Sequence, residues 1–494
     1  MLRKPPLRPA RIPRSRLIAL WLLFSLVLAF LLTRGGTLLA PPPAPAPLHL
    51  LVAYDSVPHG ADGAERYLAS TVRALAGLPA PARPRITFLA RSTADACRAL
   101  PADSEALGAD VSIREAAPTS PEFLRLLSQP NTALLLPLSF FSSCAGAGVN
   151  ASSEAYSAAL RSLQAGSPAC RASPCARVPL AVFAFDAQAF RLQGLADNDP
   201  HAAQAARFAA AAAAEGAREA ALYARADVFA MLTQEDLAVV PPTRPGIPRL
   251  VINFRDAVEP LLADPALPPA ERAARHAATL APFEARAGFV FMGGGNNPTN
   301  VLALHAFLTS VWPVVRLRIP SATLHIVGSP PSRLCKEHGV WCGWLADTPY
   351  SGASPEASGI HVHGLVEDPR SVLSRARVAL APLVCGTGIN TKTGFYMANG
   401  LPVVGTDKGV RGYGSPVGMG GGGGYAAAPL EDADAFASAC ERLHEDRDAW
   451  TAASLGALER TARLEDERAK AEDLQALLAA LRAARGAQEE KERS

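Results

Sequence analysis

The chain has 494 residues, 49% of them apolar and 19% charged, with a net charge of only +3 at neutral pH. That length carries two domains with appendages, and that apolar share builds ordinary globular cores. No Lys/Arg-rich stripe with interleaved aromatics runs along it, which excludes a nucleic-acid-binding class and nucleic acid as a partner.

Charge is unevenly placed: residues 1–54 hold no Asp or Glu. Arg3, Lys4, Arg8, Arg11, Arg14 and Arg16 make residues 1–16 a basic tail. Residues 17–33 are then apolar except for Ser25 and Thr33. As a helix this run spans about 25 Å, at the short end for a bilayer, which suits a thin early-secretory or Golgi membrane. Basic residues before it, and only Arg34 just after, set the N-terminus in the cytosol. The expectation is a single-pass type II membrane protein of the Golgi, with the rest of the chain lumenal. A cleaved signal peptide and a transit peptide are the rival readings. Leu38-Leu39-Ala40-Pro41 is a poor cleavage site, and the segment is too apolar and Ser-poor for transit. Residues 34–47 include Pro41 to Pro47, a stiff extended stalk.

All eight cysteines follow the apolar segment. Cys170/Cys175 and Cys335/Cys342 are close enough in sequence to pair, and an oxidising lumen permits it. Small buried thiols are the alternative. No Cys/His cluster has zinc spacing, and Asn150-Ala151-Ser152 is one glycosylation acceptor.

From residue 48 onward, short apolar runs alternate with helical stretches, the pattern of parallel α/β layers. Strands are expected at Leu48 to Ala53, Arg85 to Leu89, Val111 to Ile113, Thr132 to Leu136, Pro179 to Phe185, Asp227 to Leu232 and Leu250 to Asn253. Helices are expected at Ala64 to Leu75 and His201 to Arg225. Ser139 to Pro174 reads as a long loop or insertion. A Pro/Ala-rich join near Pro260 to Pro282 closes a first domain, 48–282. A second domain, 283–430, restarts the alternation. Its strands fall at Gly288 to Met292, Thr323 to Val327, Ile360 to His363, Val378 to Ala381 and Pro402 to Gly405. Residues 431–494 read as helices, the last stretch amphipathic and broken. The fold class is therefore α/β, two doubly wound Rossmann-like domains facing a cleft.

Open α/β sheets bind ligands beyond the carboxyl ends of their strands. Two loops of the second domain stand there. Phe289 to Met292 runs into Gly293-Gly294-Gly295-Asn296-Asn297-Pro298-Thr299-Asn300. Glycines let the backbone approach a ligand, and the helix that follows offers free N–H groups to a phosphate. A plain tight turn is the alternative, and a dinucleotide fingerprint fails at Pro298. Val378 to Ala381 leads to Gly386-Thr387-Gly388-Ile389-Asn390-Thr391-Lys392 and a helix from Thr393. A hydroxyl (Thr387), an amide (Asn390), a cation (Lys392) and a helix N-terminus fit a diphosphate. The alternative is a loop shaped for packing, with Lys392 solvated.

An ordered set of pieces then resembles the second domain of glycosyltransferase family four, the group 1 transferases of GT-B fold. They are Phe291-Met292-Gly293 with Asn300, Ile319 to Gly328, His363 to Asp368, Ala381-Pro382-Leu383, Gly386-Thr387-Gly388, Lys392 and Gly400 to Thr406. The resemblance implies a pocket for a nucleoside diphosphate sugar lined by Gly294, Asn300, Gly386, Thr387, Gly388, Asn390 and Lys392. In the first domain, Tyr54 to Pro58 followed by Gly60 to Arg66 resembles the family's first glycine loop, which brings Gly60 and Arg66 into the donor set. Phe185 to Arg191 resembles the acidic loop facing the acceptor, where Asp186 is the candidate catalytic carboxylate beside Lys392. A helix cap is the other reading of Asp186.

Two family glutamates, seven residues apart, fall here on Thr387 and Phe395. The acidic loop's second Asp is Ala189. No Asp-x-Asp triplet stands at a strand end, so no metal is expected. No cofactor is expected either: the nucleotide sugar is a co-substrate. The resemblance implies transfer to a lumenal glycan, glycoprotein or lipid, with retention of configuration. A non-catalytic nucleotide-sugar or glycan binder on the same fold is the alternative. An unrelated nucleotide enzyme, a dehydrogenase or epimerase, is a third reading, weakened by the failed fingerprint and the absent Tyr-x-x-x-Lys.

Overall fold

In the computed structural model, residues 46–54, 63–90, 111–138, 151–241, 244–252, 267–413, 424–464 and 467–493 are described. The expected anchor, most of the stalk, Gly60 and Asn150 lie outside them. Pro47–Ser494 forms one compact unit.

Two parallel sheets organise it. The first holds β1 His49–Tyr54, β2 Arg85–Ala90, β3 Val111–Glu115, β4 Thr132–Leu138, β5 Leu180–Ala184, β6 Val228–Met231 and β7 Arg249–Val251. Their order is β3-β2-β1-β4-β5-β6-β7. The second holds β8 Phe289–Met292, β9 Leu324–Val327, β10 Ile360–Gly364, β11 Val378–Ala381, β12 Val403–Gly405 and β13 Tyr425–Ala427. Their order is β10-β9-β8-β11-β12-β13. In both sheets the chain winds outward in one direction and then returns to wind outward in the other. The reversals fall between β1 and β4, and between β8 and β11. Loops leaving the carboxyl ends of such a strand pair diverge to opposite faces and open a crevice.

The strands explain their own legibility. β1, β4 and β5 are buried along their whole length. Helices cover both faces, so continuous apolar runs replace alternation. In the second sheet, Phe289 and Phe291 pack with Leu304, Trp312 and Phe436 on one face. Val290 and Ala381 pack with Tyr396 and Met397 on the other. Pro298–Arg318 is long and apolar enough to cross a membrane by composition. Its large buried apolar residues, from Val301 to Val315, sit in that first core instead.

Three segments depart from the sequence-based expectation. The stretch expected to be a loop contains the helix Ala151–Gly166. Ser153, Tyr156, Ser157 and Leu160 form its buried stripe, and the serines on it hide the apolar period. The Pro/Ala-rich join contains the helix Pro269–Ala277. It docks on the C-terminal helices, with Arg272 donating to Ala462 O at 3.4 Å. The strand β13 follows a glycine run and has three residues, too few for a pattern. Both cysteine readings occur. Cys170–Cys175 and Cys335–Cys342 are disulfides, while Cys385 and Cys440 are buried thiols.

The C-terminal helices divide between the domains. Arg447–Leu464 packs on the second, with Ala457 and Leu458 in its cores. Glu467–Arg493 returns to the first. Leu474, Leu477, Leu478 and Leu481 join Leu50, Val52, Phe88 and Phe183 in the first sheet's core. The amphipathic stripe read from the sequence is thus a strap across both domains. Leu477 is fully buried, so Leu477→Ala should cost about 2–5 kcal/mol through lost transfer energy and a cavity. Urea denaturation of the two proteins measures it, and a loss below about 1 kcal/mol would detach this helix from the core.

Candidate functional site

The two loops expected to bind a ligand leave β8 and β11, the strand pair at the second sheet's reversal. The first is tight for structural reasons. A Cβ on Gly293 would lie 2.8 Å from the Asn300 carboxamide, and one on Gly295 would strike the backbone of Pro330 and Pro331. Gly294 has open space around it, with Ser329 Oγ its nearest neighbour at 3.8 Å. Packing therefore accounts for Gly293 and Gly295 and leaves Gly294 open. Asn297 caps the helix Pro298–Ala306, its side chain accepting from Thr299 N at 3.1 Å.

A hydrogen bond ties this loop to the next. Asn300 Nδ2 donates to Gly294 O at 3.0 Å, and Lys392 Nζ donates to Asn300 Oδ1 at 2.5 Å. The ammonium also sits 4.6 Å from the centroid of the Phe291 ring. Lys392 is half-buried rather than solvated. Burial lowers its pKa to about 7, because no carboxylate among the described residues offsets the loss of water around it. Asn300, Lys392 and Gly294 therefore form one connected set at the crevice.

The glycine loop has split roles. Thr387 Oγ1 is buried and has no hydrogen-bond partner, a costly state that a ligand acceptor or donor would relieve. Gly386 and Gly388 have φ of +135° and +70°, which favour glycine. Asn390 belongs to the scaffold. Its Nδ2 donates to Thr393 Oγ1 at 3.1 Å and to Gly409 O at 2.7 Å. Both amide hydrogens are spent, so it does not offer them to an anion. Phe395, at the family's glutamate position, packs against the second domain's core.

The first domain closes over these loops. A Cβ on Gly388 would lie 2.9 Å from Phe185 O and 3.1 Å from Asp186 Cβ. Asp186 thus stands against the glycine loop, across the domain boundary. It does not cap the helix Gln188–Asn198, whose N-cap is Ala187 with no side-chain bond. Glu219 does that work from a neighbouring helix, accepting from Gln188 N at 2.8 Å and Ala189 N at 3.4 Å. Asp186 accepts from Gln188 Nε2 and lies 3.9 Å from Arg191. Its pKa rises to about 6, chiefly through burial. Arg191 opposes that shift, while Asp236 and Glu215 add to it. Arg66 lies on the helix Gly63–Gly77, whose first residues are described in backbone only.

Three groups that the sequence did not single out as site residues complete the arrangement: Arg191, Asp236 and Arg411. Arg191, only 4% exposed, reaches across to the second domain. Its Nη2 donates to Asn297 Oδ1 at 2.8 Å and its Nε to Thr299 Oγ1 at 3.3 Å. Asp236 accepts from Gly388 N at 2.7 Å and from Arg411 Nη1 at 2.7 Å. The sequence signal at Asp236 was Thr233 three residues earlier, a helix-capping pair. That pair exists: Asp236 N donates to Thr233 Oγ1 at 3.1 Å. The cap accounts for the backbone and leaves the carboxylate's cross-domain partners invisible.

Residues 286–446 match the family model for glycosyl transferases group 1. No curated protein matches the chain in sequence. Solved structures match its fold. Sucrose-phosphate synthase from Thermosynechococcus elongatus is 15% identical, with a TM-score of 0.53 over 88% of this chain and 100% of that one. The O-GlcNAc transferase of Thermobaculum terrenum, as a mutant, is 14% identical, with a TM-score of 0.51 over 91% of this chain and 70% of that one. The α,α-trehalose 6-phosphate synthase of Burkholderia multivorans is 12% identical, with a TM-score of 0.50 over 91% and 99%. Identities this low speak to architecture alone. The loops at the β8/β11 crevice lie within residues 286–446, the segment that matches the model for glycosyl transferases group 1, and the two parallel sheets share the GT-B-type fold of the structures just named.

Proposed function

We propose that the chain is a glycosyltransferase that moves a sugar from a nucleoside diphosphate sugar to a glycan, glycoprotein or lipid acceptor. One observation carries this reading. Lys392 and Asn300 join the two strand-end loops of a group 1 domain, and the unpartnered Thr387 hydroxyl lies in the same glycine loop. Transfer leaves a diphosphate, so the site must supply positive charge there. Lys392 provides a full charge once an arriving anion favours its protonated form, and the N-termini of helices provide partial ones. With that charge in place, the reaction proceeds without a metal, and the nucleotide sugar is the co-substrate. Retention of configuration follows the family. Asp186, against the glycine loop from the first domain, would orient an acceptor hydroxyl. The apolar segment at 17–33 is the proposed type II anchor, with the transferase domains in the Golgi lumen.

A second reading has its own observation. Phe395 packs where the family's glutamate would meet the donor's ribose, which favours a nucleotide-sugar binder without turnover. Incubating the protein from Pro47 onward with sugar-labelled donors separates the two. Released or transferred sugar establishes the enzyme, whereas saturable donor binding with no release establishes the binder.

Lys392 gives a sharper test, because its pKa links binding to pH. Burial makes the folded chain bind this proton less tightly than the unfolded chain does. The resulting penalty is absent above the unfolded pKa of about 10.5 and complete below about 7. Lys392→Met should therefore leave the ligand-free melting temperature at pH 7 unchanged or higher. Its affinity for a nucleoside diphosphate should fall at least roughly tenfold, the scale of one charge-assisted contact. A melting temperature that drops with no loss of affinity would make Lys392 a structural residue.

An arriving diphosphate favours the ammonium and raises its pKa. At pH 8 the free group is mostly neutral, so binding should take up close to one proton. Calorimetric titrations in buffers of different ionisation enthalpy count that proton, and no uptake would place the diphosphate away from Lys392.

A further inference from the structure

The cross-domain contacts of Asp236 carry one more inference, which rests on the reading that the Gly386–Gly388 loop receives a diphosphate. Asp236 is fully buried, in the first domain. Three donors converge on its carboxylate. Thr233 Oγ1 donates at 2.7 Å from the same helix turn. The other two come from the second domain: Gly388 N at 2.7 Å and Arg411 Nη1 at 2.7 Å. Arg411 Nη1 also donates to Gly386 O at 3.1 Å. The guanidinium therefore already rests on the glycine loop.

This donor set has the chemistry of an anion site. A glycine N–H in a left-handed turn and a guanidinium, each on a different oxygen of one anionic group, are donors suited to two oxygens of a phosphate. Here a carboxylate of the first domain occupies that place. Close packing surrounds it, since Phe185 and Asp186 press on Gly388 and a Cβ on Gly194 would lie 2.9 Å from Cys385 Cβ. Two cavities, of about 410 Å³ beside Lys470 and about 280 Å³ beside Phe190, reach neither Lys392 nor the glycine loop. Burial also makes the ionised Asp236 costly, which Arg411 offsets. Charges held this way are stable as a pair, and a competing anion breaks the pair by replacing one member.

We propose that Arg411 is an exchange cation. In the ligand-free chain Asp236 holds it, and a pyrophosphate-type anion entering the glycine loop takes Arg411 and the Gly388 N–H from Asp236, which releases the latch between the domains. Asp236 thereby competes with the ligand, and Arg411 serves both.

The two residues must then act with opposite signs. Asp236→Asn keeps the side chain's size and an acceptor for Gly388 N–H, but gives up the charge that competes for Arg411. Full-length protein carrying it should bind inorganic pyrophosphate about fivefold or more tightly than wild type, within the usual range of coupling between sites. Arg411→Ala should bind at least about tenfold more weakly, and Arg411→Lys should fall between it and wild type. If both Asp236→Asn and Arg411→Ala weaken binding, the pair is a fixed scaffold and the exchange is overturned. If both strengthen it, the pair is a latch that never touches the anion, which overturns the exchange equally. Hydrogen exchange on wild type needs no variant: pyrophosphate should speed amide exchange across 233–240, and slower or unchanged rates there also overturn the proposal.

A nucleoside diphosphate run beside pyrophosphate separates this inference from the function above. Opposite-signed effects on pyrophosphate, with no tighter binding of the nucleoside diphosphate, would sink the nucleotide-sugar reading and keep the exchange. No pyrophosphate binding by wild type or Asp236→Asn would end the exchange itself.

Discussion

The hydrogen bond from Lys392 to Asn300 concentrates the physics of this molecule. It joins residues 92 apart in sequence, and it exists because the second sheet reverses its winding between β8 and β11. Neighbouring strands at a reversal send their loops to opposite faces, so a crevice opens and both loops border it. Lys392 spans that crevice with one carboxamide and one aromatic ring for company. No carboxylate among its described partners neutralises it. The group therefore holds its proton weakly near neutral pH, and a bound anion would tighten that hold. Stability favours replacing such a group; ligand binding favours keeping it.

The first domain answers with charges of its own. Asp186, Arg191 and Asp236 all stand on segments that follow β5 and β6, adjacent strands of the first sheet. Each meets the second domain's crevice loops. Arg191 donates to Asn297 and Thr299 at the N-terminus of the helix Pro298–Ala306, where a cation is not the natural partner of the helix dipole. The Asn297 capping oxygen and the Thr299 hydroxyl accept from it and make the contact acceptable. The interface is therefore polar at its centre and apolar beside it, where Leu192 and Leu195 enter the second domain's core. Polar centres of this kind are costly to hold without partners, and a ligand is one way to supply them. The strap Glu467–Arg493 keeps the domains joined from another side, through leucines in the first sheet's core.

How much could be read in advance varies by element. The buried strands were legible, because parallel strands covered on both faces are short continuous apolar runs. The Gly386–Gly388 loop and Lys392 were legible, because glycines, a hydroxyl and a cation at a strand end are local features. Asn390 has a type that fits a ligand contact, but Thr393 and Gly409 take its amide hydrogens, a pairing that residue type alone does not reveal. The helix Ala151–Gly166 was hidden by small residues that blur the helical period. The helix Pro269–Ala277 was hidden by prolines at its start, which also begin helices.

By itself the sequence determined the alternation of elements, the strand-end loops and the family signature, all of which depend on neighbours a few residues away. It also set the absence of a glutamate at Phe395, which no folding can restore. Only the tertiary structure decided which charges meet. Asp236 finds Gly388 across 152 residues and Arg411 across 175, and no periodicity or spacing encodes such a meeting. Side chains that follow local rules end as caps, bridges or latches according to what packing brings within about 3 Å, the reach of a hydrogen bond.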